Sequence, residues 1–80
     1  MKFEILDQTG NKINCNVVGM FKDEVKDINY IVYTDGTRNN DGKLEIYASR
    51  YTKQKDSFVL SDIEEDEEWD LVDNFLSLQR

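Results

Sequence analysis

The sequence predicts an α+β fold, in which an antiparallel sheet of four to five strands is followed by one C-terminal amphipathic helix packed on the sheet. Two patterns support this fold class. Between residues 2 and 60, short runs alternate apolar and polar residues, as strands do. Between about residue 62 and residue 79, apolar residues recur at helical spacing instead. With 80 residues, the chain is predicted to form a single domain, 1–80.

The first two strands are predicted to pair as a hairpin. Lys2–Leu6 and Ile13–Val17 both alternate apolar and polar side chains, and the turn residues Gly10 and Asn11 separate them. Gly19 indicates a bulge or bend before the chain continues to Phe21.

Three further strands are predicted at Ile28–Thr34, Lys43–Thr52 and Ser57–Leu60, with a loop at Asp35–Gly42. The first of them is apolar on both faces, which is typical of a central strand. One helix covers only one face of a sheet, so either the sheet curls or a second chain covers the other face. We therefore expect self-association through four residues of these strands: Ile31, Tyr33, Tyr47 and Tyr51.

The helix has an apolar half, formed by Trp69, Leu71, Val72, Phe75, Leu76 and Leu78. Ser61 and Glu64 fit a capping box, and Asp62 or Asp66 could cap instead. Trp69 is predicted to pack the start of the helix onto the sheet. The predicted core combines the inward positions of the strands and helix: Phe3, Ile5, Ile13, Cys15, Val17, Tyr30, Val32, Leu44, Ile46, Phe58, Leu60, Trp69, Val72, Phe75 and Leu76.

The net charge of −7 is concentrated in the last third of the chain. Residues 1–55 carry a net charge of +1, and residues 56–80 carry −8. This sign disfavours bulk affinity for nucleic acid or anionic membranes. The first residues are not those of a signal peptide, and Cys15 is the only cysteine. We therefore expect a cytoplasmic protein that does not associate with membranes.

The chemistry of the chain points away from catalysis. There is no histidine, no paired general acid and base, and no glycine-rich phosphate loop. The segment Asp35–Gly42 lacks the acidic residues of a calcium loop at the required spacing. Cys15 lies among apolar strand residues with no base beside it. We expect no catalytic residue, no metal site, no cofactor and no enzymatic activity.

The order of these features resembles the bacterial family called domain of unknown function 1292. The matching residues are Gly10–Asn11, Phe21, Tyr30–Asp35, Glu45–Ser49, Ile63, Asp66–Trp69 and Val72. They extend over nearly the whole chain. The resemblance implies a small intracellular bacterial protein, and it implies no activity and no site residues.

The function predicted from these features is that of a non-enzymatic protein-interaction module. Its acidic residues Glu64, Glu65 and Glu68 would meet a basic patch on an unidentified protein partner. An alternative is a nucleic-acid-related role in one of two forms. The acidic start of the helix could mimic phosphates, or Tyr47, Tyr51 and Lys53 could bind single strands weakly from one face of the sheet.

Overall fold

A computed structural model describes residues 4–78, and in this part of the chain five strands form one sheet against which a single helix packs. The elements are β1 (Glu4–Leu6), β2 (Asn16–Asp23), β3 (Ile28–Thr34), β4 (Tyr47–Gln54), β5 (Ser57–Ser61) and α1 (Asp66–Leu78). The strand order is β1-β5-β4-β3-β2. Every neighbouring pair is antiparallel except β1–β5, which is parallel. The predicted fold class is confirmed.

The bounds of β3 coincide with the predicted strand, and β3 lies inside the sheet between β2 and β4. The turn before it is held by Asp23, whose Oδ1 accepts hydrogen bonds from the backbone N–H groups of Val25 (3.0 Å) and Lys26 (3.3 Å). This Asp side chain supplies the acceptor that reverses the chain from β2 into β3.

The predicted hairpin between the first two strands is present only as a short pairing next to its turn. Leu6 pairs antiparallel with Lys12, and the N–H groups of Asp7 and Ile13 donate to Asn11 O (2.9 Å) and Ile5 O (2.8 Å). β1 pairs in parallel with β5, with Ile5 opposite Phe58, and β2 begins only at Asn16. The intervening chain is held by its own turn, in which Asp7 Oδ1 accepts hydrogen bonds from the backbone N–H groups of Thr9 and Asn11. Alternation predicts a strand but does not identify its neighbour. The predicted first residues of this strand, 2 and 3, lie outside the described residues.

β4 begins at Tyr47, four residues later than predicted. The preceding backbone bonds to the loop instead of extending the sheet: Glu45 donates its N–H to Thr37 O (2.8 Å), and Thr34 Oγ1 donates to Glu45 O (2.7 Å). Leu44 and Ile46, predicted for the core, are consequently both more than one third exposed.

The helix packs on one identifiable face of the sheet. Phe75 stacks on Phe21, with ring centroids 4.9 Å apart, and Phe21 stacks on Tyr30 at 5.0 Å. Gly19 lies beneath the same ring, where an added Cβ would be 2.3 Å from Phe75 Cζ. Strand register places Arg50 next to Tyr30 on this face. The face that carries Gly19, Phe21, Tyr30 and Arg50 is therefore covered by α1.

Two other predicted core residues are surface residues. Val17 is 47% exposed because it lies on the edge strand β2 and on the face away from the helix. Trp69 is 45% exposed, since Glu68 and Val72, four residues apart, are the buried positions of the helix. Trp69 lies about 100° around the helix from Glu68. The predicted core positions Tyr30, Val32, Leu60 and Val72 are confirmed as buried.

Candidate functional site

The start of the helix is built around Glu68. The helix begins at Asp66, so the predicted capping box of Ser61 and Glu64 is wrong. Instead Glu68 Oε2 accepts hydrogen bonds from the backbone N–H groups of Glu64 (3.1 Å) and Glu65 (3.0 Å). A glutamate in the first turn that bonds back to the residues before the helix satisfies donors that the helix itself cannot.

Glu68 is also the centre of a buried polar network. Arg50 donates two parallel hydrogen bonds to it, from Nε to Oε1 at 2.6 Å and from Nη2 to Oε2 at 2.7 Å. Tyr30 Oη donates to Oε1 at 2.8 Å. Glu68 is 1% exposed and Tyr30 is fully buried. The network joins β3, β4 and α1 at one point and sets the position of the helix on the sheet.

The hydrogen bonds of this network decide the ionisation of its members. The Arg50 guanidinium, assisted by the backbone N–H of Glu65, by Tyr30 and by the backbone N–H of Glu64, lowers the pKa of Glu68 to about 2 despite its burial. Burial, together with the hydrogen bond to this carboxylate, raises the pKa of Tyr30 to about 12. The pKa of Arg50 is raised by the same carboxylate. At neutral pH Glu68 is therefore a paired, ionised and inaccessible carboxylate.

The three acidic candidates consequently divide into two groups. Glu64 and Glu65 are exposed, and Glu68 is buried inside the chain with both oxygens occupied. Lys26 of the β2–β3 turn forms ion pairs with Glu67 (2.7 Å) and Glu65 (3.5 Å). The sequence pattern could not show which of these carboxylates is buried, because the burial of Glu68 depends on its pairing with Arg50, which is 18 residues away in the sequence.

The three sheet candidates share one face, the face opposite the helix. Tyr47, Tyr51 and Lys53 alternate along β4 with residues of the covered face, which include Arg50. Tyr51 packs edge-on against Phe58, with ring centroids 5.3 Å apart. Tyr47 lies 5.7 Å from Tyr33, measured between ring centroids. The tyrosines thus pack against neighbouring aromatic rings.

This same face carries an apolar patch, of which sequence reasoning identified Tyr33 and Tyr47 and missed the two residues from β2. Its members are Val17, Met20, Tyr33 and Tyr47. Val17, Tyr33 and Tyr47 are directly opposite one another across β2, β3 and β4. The register shift between Val17 and Gly19 brings Met20 to the same face as Val17. Val17, Met20 and Tyr47 are 47%, 38% and 39% exposed. The sequence signal was Gly19, whose bulge changes the alternation of β2.

The structure corrects the surface expected for self-association. Ile31 is fully buried within the chain, although it was predicted to contact a second copy. Tyr33 and Tyr51 are partly buried, and Tyr47 is exposed. The β1–β2 connection runs along this face, where it covers part of the sheet that was expected to need a second chain.

A cleft of about 190 Å³ lies between that connection and the sheet. Its lining includes the apolar residues Ile13 and Leu60, together with Tyr33 and Ser49, whose hydroxyl groups lie 3.4 Å apart. Asp7 and Asp62 also line it. Tyr33 belongs both to the cleft and to the apolar patch, so the two features are continuous.

Other candidate chemistry is limited in the part of the chain that the structure describes. Over residues 4–78, no three acidic or thiol side chains converge closely enough to hold a metal ion. The loop Asp35–Gly42 is held by its own side chains: Asp35 accepts from Thr37, and Asn39 Oδ1 accepts from the N–H of Asp41 (3.0 Å). Within residues 4–78, α1 is too short and too polar to cross a membrane.

The fold and surface define a small α+β protein with one helix-covered sheet face and one partly open face. The chain belongs to the family described as "Protein of unknown function (DUF1292)", whose model matches residues 8–77. It is 35% identical to the UPF0473 protein YrzB of Bacillus subtilis (strain 168), over 91% of this chain and 81% of that protein. It is 31% identical to a UPF0473 protein of Bacillus pumilus (strain SAFR-032), over 91% and 79% of the two chains. No solved structure matches the chain at a significant level.

Proposed function

We propose that this protein is a non-enzymatic module that binds another protein through the apolar patch of Val17, Met20, Tyr33 and Tyr47. The observation that carries the proposal is the exposure of Val17, Met20 and Tyr47 around the partly buried Tyr33, on a sheet face that the helix does not cover. Contiguous apolar surface on a small protein is typical of an interaction site. Tyrosine and methionine are also enriched where proteins meet.

The edge position of β2 adds to this surface. β2 pairs with β3 on one side, and within residues 4–78 no strand pairs with its other side. An open strand edge with apolar side chains favours contact with another polypeptide. The bulge between Val17 and Gly19 interrupts the edge and limits uncontrolled strand pairing.

The acidic segment, Ile63–Glu68, has a supporting role in the proposal. Its exposed carboxylates, with those of Asp70 and Asp73 on the helix, give the protein a strongly negative side. Such a charge increases the rate of association with a basic protein and disfavours binding to acidic proteins. The same charge opposes direct contact with single-stranded nucleic acid, which makes the Tyr47, Tyr51 and Lys53 alternative the weaker one.

The test is a pull-down from source-cell lysate with tagged protein, with and without nuclease, read by mass spectrometry. Two variants, Val17→Lys and Met20→Lys, place a charge in the patch. Val25→Lys is the matched control, because Val25 is 94% exposed in the β2–β3 turn and lies outside the patch. Far-ultraviolet circular dichroism and thermal unfolding establish that each variant is folded.

We expect one stoichiometric protein to be captured by the wild type and by Val25→Lys after nuclease treatment, and to be lost with both patch variants. Retention by the patch variants would contradict the proposed surface. Loss of every partner on nuclease treatment would favour the nucleic-acid role. Light scattering of the purified protein, wild type against Met20→Lys, would identify a second copy as the occupant.

A further inference from the structure

The cleft between the β1–β2 connection and the sheet has the features of a receptor for one side chain. Its volume of about 190 Å³ is well below that of a typical small-molecule site. It is closer in size to one long side chain. Ile13 and Leu60 provide apolar walls, and Tyr33 also lines the space.

Two of the residues that line the cleft, Asp7 and Asp62, are acidic, and no basic side chain among the described residues neutralises them. Over residues 4–78, neither Asp7 nor Asp62 takes part in an ion pair. Asp7 accepts its hydrogen bonds from Thr9 and Asn11, and all three that involve Oδ1 hold the local turn. Asp62 is exposed and is bonded to none of the described residues. Two such carboxylates beside apolar walls are complementary to a cation on an aliphatic stem.

We propose that this cleft receives a lysine or arginine side chain of the protein that binds the apolar patch. The methylene stem packs between Ile13, Leu60 and the Tyr33 ring, and the cationic head lies between Asp7 and Asp62. The inference rests on the proposed function, since it assigns the chemistry of the partner residue next to the patch.

Continuity between the two features determines how the partner would lie. Tyr33 is opposite Val17 on β2 and opposite Tyr47 on β4, and it also borders the cleft. A partner segment that covers the patch therefore carries its basic residue directly beside the residues that contact Val17 and Tyr47. An apolar residue next to a lysine or arginine is the sequence feature expected in the partner.

The test uses the full chain labelled with ¹⁵N and three short peptides with blocked ends, acetyl-Gly-Gly-Xaa-Gly-Gly-amide, in which Xaa is lysine, arginine or norleucine. Norleucine has the apolar stem without the charge. Two variants carry the same change of charge. Asp62→Asn removes a carboxylate of the cleft, and Asp70→Asn removes an exposed carboxylate of the helix that does not line the cleft. Asp7 is left unchanged because its side chain holds a turn.

We expect the lysine and arginine peptides to shift the amide signals of Tyr33, Ser49 and Leu60, and the norleucine peptide to leave them in place. Asp62→Asn should weaken binding of the lysine and arginine peptides about fivefold, because an exposed ion pair contributes about this factor to the dissociation constant. Asp70→Asn should leave their binding unchanged. Shifts confined to residues 64–70, or equal effects of the two variants, would overturn the cleft assignment. If the cleft assignment failed in this way but Val17→Lys still lost the partner in the pull-down, the proposed function would remain supported. Peptide binding in the cleft together with a partner insensitive to Val17→Lys would count against the proposed function alone.

Discussion

Arg50 and Glu68 form a bidentate ion pair in which Nε and Nη2 of the guanidinium lie 2.6 Å and 2.7 Å from the two carboxylate oxygens. The pair connects the middle strand of the sheet to the first turn of the helix. Parallel hydrogen bonds of this kind define direction as well as distance. Because Glu68 is buried, its charge depends on this partner.

Replacing Glu68 with glutamine should destabilise the protein by about 3 kcal/mol. The amide cannot neutralise Arg50, and it presents a donor where two acceptor oxygens are needed. Urea unfolding followed by circular dichroism measures the change. Glu64→Gln is the matched control, because Glu64 is exposed and its contact with Arg50 is longer, at 3.4 Å. Equal unfolding midpoints for the two variants would show that the pair does not hold the helix.

Stability should fall as the pH is lowered from about 5 towards 2, and Glu68 should account for a large part of this loss. The pKa of Glu68 is about 2 in the folded protein against an ordinary value of 4.5. The unfolded state therefore binds more protons in this range, and stability rises with pH, by about 3 kcal/mol in total for this group. Unfolding free energies measured at a series of pH values provide the test.

The Glu68→Gln variant supplies the control for this pH dependence. Its unfolding free energy should change less steeply with pH over the same range, because one carboxylate with a lowered pKa has been removed. The remaining slope comes from other carboxyl groups with lowered pKa values, such as those of Asp27 and Glu67, each bonded to a lysine. Parallel curves for the wild type and the variant would contradict the assignment.

Tyr30→Phe should cost about 1 kcal/mol. The substitution removes only the hydroxyl group, which donates to Glu68 Oε1 at 2.8 Å, and preserves the ring that stacks on Phe21. Arg50 continues to satisfy the same carboxylate oxygen, so the loss should be smaller than that of Glu68→Gln. Chemical unfolding of both variants and of the double variant measures how far the two side chains are coupled. Strict additivity would mean that the hydroxyl acts independently of Glu68.

Gly19→Ala should destabilise the protein by about 1–3 kcal/mol, because its Cβ would lie 2.3 Å from Phe75 Cζ. The aromatic ring has little room to move, since it stacks on Phe21. Phe75→Leu in the same chain should relieve the clash, so the double variant should be more stable than the sum of the single effects predicts. Thermal unfolding of the four proteins in the cycle gives the coupling. Additive effects of the two substitutions would show that the destabilisation by Gly19→Ala does not come from a clash with Phe75.

Local patterns were sufficient for the secondary structure of most of the chain. The bounds of β3 follow from its apolar residues between two turns, and the bulge in β2 follows from Gly19. The helix was predicted from its apolar periodicity, with a start four residues too early. The helix starts later than predicted because a carboxylate oxygen of Glu68 accepts hydrogen bonds from the backbone N–H groups of Glu64 and Glu65. A hydropathy pattern does not reveal such a contact.

Contacts between residues far apart in the sequence could not be predicted from local patterns. β1 pairs in parallel with β5, 53 residues further along at the register of Ile5 and Phe58, and no short turn signals that choice. The acidic segment reads as a uniform run, yet Glu68 is buried and its neighbours are exposed. The cleft likewise combines residues from the β1–β2 connection, β3, β4 and the end of β5.

The sequence by itself determined the fold class, the uneven distribution of charge and the resemblance that the family match confirmed. These properties depend on residue type and short spacing, which act through local backbone preference and side-chain periodicity. Only the tertiary structure decided which acid is buried with Arg50, which strand borders β5, and which apolar residues remain exposed beside Tyr33. Those outcomes depend on which surfaces meet when the sheet and helix pack, and packing joins residues that are far apart in the chain.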